Sequence, residues 1–355
     1  MTQLELFRAT VEHRPHDEIL FYASFTPAID EKLRKTLKLA DDVDLRDYFG
    51  MYNPVEVKMD PPEGYTPPDF SKYYKDIEIP ENAFINELGV LEIPGSSYHF
   101  TRYVSPLRDA ESIKDIEDFE YPNVDNFTDN HMKEKVEKIH AKGKVACFYL
   151  THMYEDSWQI RGYEQFLMDM IENPEMCEFI LDRICERNLK KAEAAARAGV
   201  DVLMTGDDVA NQRALMFSQS LWRKFIKPRW EKVYKRAKEI NKDIKIWYHS
   251  DGNIESIIPE LVEIGVDILN PIQPECLDPV KVKSAVGDRI VLDGTIGTQT
   301  VMPFGTPEDV KTTVKEMRSK LGYDGALILS PTHVLEPEVP VDNILAFIEA
   351  CKMPG

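Results

Sequence analysis

The sequence predicts an α/β chain that closes into an eight-stranded (β/α)8 barrel, and three observations lead there. From about residue 131 onward, short runs rich in Val, Ile and Leu alternate with helical patterns, the rhythm of parallel strands joined by crossover helices. The segments AGVDVLMTGDD (198–208) and IGVDILNPIQP (264–274) repeat one unit, in which Gly ends a helix, Val-Asp enters a strand and polar residues leave it. No Gly-x-Gly-x-x-Gly follows the first strand, which removes the main support for an open dinucleotide-binding sheet.

In chain order, residues 2–13 read as an amphipathic helix with Leu4, Phe7 and Val11 on one face. Residues 19–25, ILFYASF, read as a strand ended by Thr26-Pro27, and a helix follows from about 28 to 39. From Asp41 to Asn130 the pattern dissolves into a proline- and aromatic-rich extension, with a hairpin through AFINELGVLEI and SSYHFTRYV. Irregular stretches of this length on a compact scaffold serve as lids or binding segments, so 41–130 is expected to cover the barrel mouth within a single domain, 1–355. Helices are then expected at 132–142, 174–198, 219–241, 254–263, 278–286, 307–321 and 341–351. Strands are expected at 144–150, 200–208, 244–249, 266–273, 289–294 and 326–331; with the early strand they make seven, leaving room for an eighth.

Composition excludes several classes of function. The chain has 355 residues, 43% of them hydrophobic and 30% charged, and no apolar run approaches the ~18 residues that span a bilayer. Its start, MTQLELFRATVEHRP, is amphipathic and mixed in charge, so a cytoplasmic protein with no membrane partner is expected. A net charge of −19 would repel a phosphate backbone, which argues against nucleic acid. The cysteines Cys147, Cys177, Cys185, Cys276 and Cys351 are odd in number and never paired as Cys-x-x-Cys, so neither a disulfide framework nor a zinc knuckle is indicated.

Barrel enzymes place their chemistry at the carboxyl ends of the strands. That rule gathers His152 and Glu155, Asp207 and Asp208, His249 and Asp251, Gln273, Glu275 and Cys276, Asp293, and Thr332 and His333 around one mouth. The centre is IWYHSDGN (246–253), where an apolar strand stops at a polar turn. Two readings of that ring stand side by side. His249 and His333 with Asp251, or with Glu155 or Cys276, would give a metal ligand set that leaves an open position. Alternatively, His249 and the Asp207-Asp208 pair would work as acid and base, one carboxyl raised by its neighbour. Tyr149, Tyr154, Trp158 and Phe148 are candidates for an aromatic wall, and His152 and Gln273 for substrate contacts.

The strings GDD, IKPRW, YHSDGNIESIIPELVEIGVDILNPIQPE, GTIGTQTVMPFGTPEDV and SPTHVLEPEVPVDNI resemble the uroporphyrinogen decarboxylase superfamily over roughly residues 200–350. The resemblance implies a (β/α)8 TIM barrel and one of two activities: decarboxylation in the porphyrin pathway, or zinc-dependent methyl transfer with a corrinoid protein as partner. The decarboxylases carry an amino-terminal MRQAGRY arginine motif, where this chain has the uncharged, aromatic ILFYASF. The coenzyme M-type methyltransferases carry a His-x-Cys-Gly-Asn turn and a later Cys that bind zinc. Here the corresponding residues are His249, Asp251 and His333, an oxygen-richer set suited to an ether oxygen rather than a thiol. The resemblance therefore implies a methyltransferase that passes the methyl of a methoxylated aromatic compound to the Co(I) corrinoid (cobalamin) of a partner protein. Thiol methylation of the coenzyme M type and a decarboxylase-like lyase are the alternatives, and a homodimer is left open.

Overall fold

The computed structural model describes residues 1–95 and 101–353. Its strands are β1 Leu20–Phe21, β2 Val55–Glu56, β3 Phe84–Ile85, β4 Leu91–Pro94, β5 Thr101–Val104, β6 Ala146–Tyr149, β7 Val202–Gly206, β8 Lys245–His249, β9 Ile268–Asn270, β10 Val291–Asp293 and β11 Leu327–Leu329. Eight of them form one parallel sheet in the order β1-β11-β10-β9-β8-β7-β6-β2. The sheet curls until its edges approach, and Tyr52 N–H donates to Phe21 O at 2.8 Å across the seam. This is the closed α/β barrel that the sequence predicts.

The eighth strand, β2, comes from inside the stretch expected to be an irregular extension. Two residues are too few for a period to show, and only the pairing of Val55 and Glu56 with Ala146 and Cys147 reveals them. Farther on, β3, β4 and β5 form a small antiparallel sheet where a hairpin is expected; positions 96–100 of that hairpin lie outside the described residues. Tyr103 of β5 packs edge-on against Trp158, and Glu87 pairs with Arg187 at 2.7 Å, which ties the small sheet to the flank of the barrel.

The helices are α1 Gln3–Val11, α2 Pro27–Leu37, α3 Leu45–Tyr48, α4 Ile113–Glu117, α5 Met132–Ala141, α6 Tyr154–Arg161, α7 Tyr163–Glu172, α8 Pro174–Ala198, α9 Gln219–Phe225, α10 Lys227–Ile240, α11 Ile258–Glu263, α12 Pro279–Val286, α13 Val301–Phe304, α14 Pro307–Leu321 and α15 Val341–Lys352. α8 keeps its predicted ends, with Pro174 opening it and Gly199, at φ +81°, closing it in the left-handed conformation. The helix expected over 219–241 is instead two. Pro228 has no N–H to give the preceding turn, so the chain breaks at Ile226 and restarts. α6, α7 and α13 are not anticipated from the sequence.

Alternation along the strands separates two cores. Leu203, Ile246, Leu269 and Leu292 face the surrounding helices, while Leu20, Cys147, Val202, Ile268, Val291 and Ile328 fill the barrel. Leu4, Leu6 and Phe7 of α1 belong to the inner core, and Leu4 N–H reaches Gly143 O just before β6. α1 therefore closes the amino end of the barrel; burying Phe7 alone contributes roughly 1.5–3 kcal/mol. The carboxyl ends are left as the open face. No helix among the described residues is long and apolar enough to cross a membrane.

Candidate functional site

β7 and β8 run in register, so Gly206 lies beside His249. A Cβ on Gly206 would sit 2.4 Å from the His249 carbonyl oxygen, so only glycine lets the two strands close there. Past the strand ends, Gly252 takes φ +83° with its Cα turned toward Asn211 O, and this tight turn brings Asp251 back over the barrel. Asp251 N–H then donates to Asp208 Oδ1 at 2.8 Å, which locks the two loops together.

His249 is oriented from behind. Its Nδ1 is 2.7 Å from Asn270 Oδ1, and Asn270 Nδ2 donates to the Tyr22 hydroxyl at 3.2 Å. Tyr22 in turn donates to Asp293 Oδ2 at 3.1 Å, and that carboxylate also accepts from Trp247 Nε1 at 2.8 Å and Ser330 Oγ at 3.0 Å. Burial lifts the Asp293 carboxyl to about 6 against the pull of these donors. Because Asn270 spends its N–H on Tyr22, its oxygen faces the imidazole, and the proton of His249 sits on Nδ1. The Nε2 lone pair is thereby aimed at the mouth.

Around that lone pair stand two carboxylates. His249 Nε2 is 3.7 Å from Asp208 Oδ1 and 3.9 Å from Asp251 Oδ2, and His333 Nε2 lies 3.9 Å from the same Asp251 oxygen. Ligand atoms of a tetrahedral ion with bonds of ~2.0–2.1 Å are roughly 3.3–3.4 Å apart, so small side-chain movements close this group around one cation. The donor set of imidazole and carboxylate fits zinc or a similar divalent ion. Burial raises the Asp208 carboxyl; His249 opposes that shift, and the charges of Glu155 and Asp251 add to it. Two carboxylates held this close to each other favour a bound cation.

A second group holds His152, Glu155 and Asp207. Here Asp207 is already committed, since it accepts from Tyr154 N–H at 2.6 Å, Glu155 N–H at 3.4 Å and Trp230 Nε1 at 2.6 Å. It caps the start of α6 and has no exposed surface, and burial raises it to about 8. The Asp207-Asp208 pair is thus divided between two groups, because successive residues leaving a strand point to opposite sides. His152 bonds Glu155 through Nδ1, and although burial works against its proton, that partner lifts the imidazole to about 10. Glu155 is held down by the same contact, against burial, and also accepts from Asp208 N–H at 3.1 Å, which joins the two groups.

Beside His249 and His333 opens a cavity of about 270 Å³, walled by Tyr22, Tyr52, Tyr149 and Trp247 and floored by Val202, Ile268 and Ile328. A more polar cleft of about 490 Å³ shares His333 and Asp251 and includes Gln273, whose Oε1 accepts from Gly252 N–H at 3.3 Å. Of the expected aromatic wall, only Tyr149 borders the cavity. Tyr154 is fully buried against Phe166 and Phe217, Phe148 lies in the outer core, and Trp158 meets Tyr103 and Tyr163 edge-on. Cys276 is partly buried and stands in neither ligand group, and burial raises its thiol. Glu275 is occupied by Gln299 N–H and the Thr300 hydroxyl, and Thr332 by Thr298.

Sequence reading misses Asn270, Tyr22, Trp247, Tyr52 and Arg46. Two had a signal. Trp247 precedes His249 by two residues and so shares its strand face, with the rings stacked at 5.8 Å, and Asn270 ends the strand paired with His249.

The sequence pattern of the family described as Uroporphyrinogen decarboxylase (URO-D) matches residues 55–353. The chain belongs to the uroporphyrinogen decarboxylase family. Within it, the chain is 24% identical over 188 residues to a methylcobamide:CoM methyltransferase, MtaA, of Methanosarcina barkeri, covering 53% of this chain and 52% of that protein. It is 23% identical over 206 residues to a methylated-thiol–coenzyme M methyltransferase of Methanosarcina mazei (57% and 52%), and 22% identical over 189 residues to a uroporphyrinogen decarboxylase of Coxiella burnetii (52% and 49%). The chain thus spans about half the length of the curated relatives it matches. A solved structure of a methyltransferase from Methanosarcina mazei superposes over 99% of this chain and 98% of its own, with a TM-score of 0.69 at 17% identity. At that identity the likeness shows the fold, and it is the family's barrel.

Proposed function

We propose that this chain is a metal-dependent methyltransferase that takes the methyl group from a methoxylated aromatic compound and delivers it to the Co(I) corrinoid of a partner protein. The observation that carries the reading is the group Asp208, His249 and Asp251, with His333 at its edge, opening on an aromatic-walled cavity of about 270 Å³. These residues would hold zinc, which when bound supplies Lewis acidity toward an ether oxygen. The chain does the rest: Asn270 presents the Nε2 lone pair of His249, Tyr22, Tyr149 and Trp247 flank an aromatic ring, and the apolar floor keeps water from the reacting end.

The cavity is near the lower end of the ~300–1,000 Å³ usual for small-molecule sites, a size that suits one aromatic ring. The named activities of the Methanosarcina relatives, methylcobamide and methylated-thiol methyl transfer to coenzyme M, support a corrinoid-linked reaction and keep thiol methylation as the second reading. Against thiol chemistry, Asp251 gives the group a hard oxygen ligand, and Cys276 stays outside it.

The deciding experiment measures bound metal and then the methylation of free Co(I) cobalamin by 2-methoxyphenol, with methylcobalamin plus 2-mercaptoethanesulfonate run in parallel. Cobalamin methylation by the aryl ether supports the reading. Thiol methylation alone replaces it with the second, and a protein active in neither assay removes both.

A further inference from the structure

Arg46 is the charged side chain of the cavity that the chemistry above leaves unused. It arrives from the four-residue helix α3 and borders the same chamber as His249 and His333. Two backbone-proximal contacts fix it: Nε donates to Ala23 O at 3.2 Å and Nη2 to Ser24 Oγ at 2.7 Å. Its guanidinium lies over the Tyr22 ring, 5.2 Å from the centroid, and the Tyr22 hydroxyl belongs to the chain that orients His249. Of the five N–H donors of an arginine, two are therefore used; both hydrogens on Nη1 and one on Nη2 remain without an acceptor among the described residues.

No carboxylate pairs with this guanidinium among the described residues. Asp293 is the one acidic residue among those described in the lining, and it is taken up by Tyr22, Trp247 and Ser330. A chain with a net charge of −19 thus keeps an unpaired cation, pinned and stacked, at the wall of a small aromatic chamber. A fork of two free N–H groups on neighbouring nitrogens matches the two oxygens of a planar carboxylate.

We infer that Arg46 binds the carboxylate of an aromatic acid, so that the substrate is a methoxybenzoate whose ring fills the chamber between Arg46 and the histidines. This rests on the proposed function for the identity of the methoxy group, but the carboxylate preference itself does not. The amino-terminal stretch lacks the arginine motif of the decarboxylases, and here a single guanidinium reaches the mouth from a different element, enough for one carboxylate.

The test is titration calorimetry on the full chain with 4-hydroxy-3-methoxybenzoate, its demethylated product 3,4-dihydroxybenzoate, and the uncharged 2-methoxyphenol. Wild type is expected to bind either benzoate at least about tenfold more tightly than the phenol, the increment of a charge-assisted hydrogen bond. In Arg46→Gln that ratio falls to within about threefold; in Arg46→Lys, which keeps the charge without the fork, it is intermediate. Thermal unfolding of both variants checks that α3 still docks, and Arg46→Lys carries the test if Arg46→Gln unfolds. Equal binding of acid and phenol by wild type, no benzoate binding up to millimolar concentration, or an unchanged ratio in both variants overturns the inference. Because the dihydroxy acid needs no methyl transfer, a carboxylate preference in a protein that methylates nothing would leave Arg46 assigned while removing the proposed reaction.

Discussion

His249 Nδ1 and Asn270 Oδ1 meet at 2.7 Å on adjacent strands, and this contact decides which nitrogen of the imidazole faces the mouth. Asn270→Ala removes the acceptor and frees the ring to turn. Loss of such a supporting partner costs a metal site ~10–100-fold in affinity, and that is the drop expected in a competition titration with zinc. Tyr22→Phe, which loosens the Asn270 amide and removes a donor from Asp293 but leaves the acceptor of the imidazole in place, is expected to cost less. Zinc affinity in Asn270→Ala equal to wild type would show that His249 is held without it.

The ligand group makes a sharper prediction about which side chains count. His249→Ala, Asp208→Ala and Asp251→Ala should each abolish stoichiometric zinc binding, since each removes a member of a group whose ligand atoms lie within 4.8 Å of one another. His333→Ala should weaken binding less, because His333 stands 3.9 Å from Asp251 and outside the three residues of the group. Cys276→Ser should leave it unchanged. Metal analysis after dialysis reads all five, and loss of zinc in Cys276→Ser would restore the thiolate to the site.

Much of this was legible because strand ends announce themselves. His249, Asp251 and His333 follow apolar runs at positions where the barrel places chemistry, and the Gly-Val-Asp repeat fixes two βα units without any long-range information. What the sequence hides is long-range or too short to be periodic. Tyr22 joins Asn270 across 248 positions, and Arg46 enters from a four-residue helix in a stretch with no pattern. Asp207 and Asp208 look equivalent on paper, and only the packing of Trp230 and the start of α6 against Asp207 separates their roles.

Away from the mouth, Glu260 of α11 gathers Gln219 and Arg223 of α9 and Lys227 of α10, at 2.8–2.9 Å for the nearest contacts. Arg223 first, then Lys227, hold its carboxyl at about 2 against the opposing effect of burial. Its pKa is thus depressed on folding, so the stability it adds is complete above the unfolded value of about 4.3 and is lost as pH falls toward 2. Arg223 keeps 54% of its side-chain surface in water, while Glu260 and Lys227 keep 15% and 17%; water still reaches the network, which limits each pair to ~1 kcal/mol or less and makes it sensitive to salt. Urea unfolding of wild type and Glu260→Gln should therefore differ at pH 6, draw together below about pH 4, converge only below the folded value of about 2, and differ less in 1 M salt. A gap that persists at low pH would mean that Glu260 acts through packing and not through charge.

Gly206 links the fold to the site most directly. A Cβ there would stand 2.4 Å from His249 O and 2.9 Å from His249 Cβ, backbone and stem atoms that cannot swing aside. Gly206→Ala therefore forces β7 and β8 apart at the residue that supplies Nε2, with an expected loss of about 1–3 kcal/mol in denaturant unfolding. Gly199 is the control. It too has positive φ, at +81°, but nothing lies within 4 Å of its Cβ position, so Gly199→Ala should cost about 1–2 kcal/mol from backbone strain alone. The two variants then separate on zinc binding: Gly206→Ala should lose affinity along with stability, while Gly199→Ala, at the far end of α8, should keep it. If both retain wild-type zinc affinity, the close approach of β7 to His249 shapes the barrel but not the metal group.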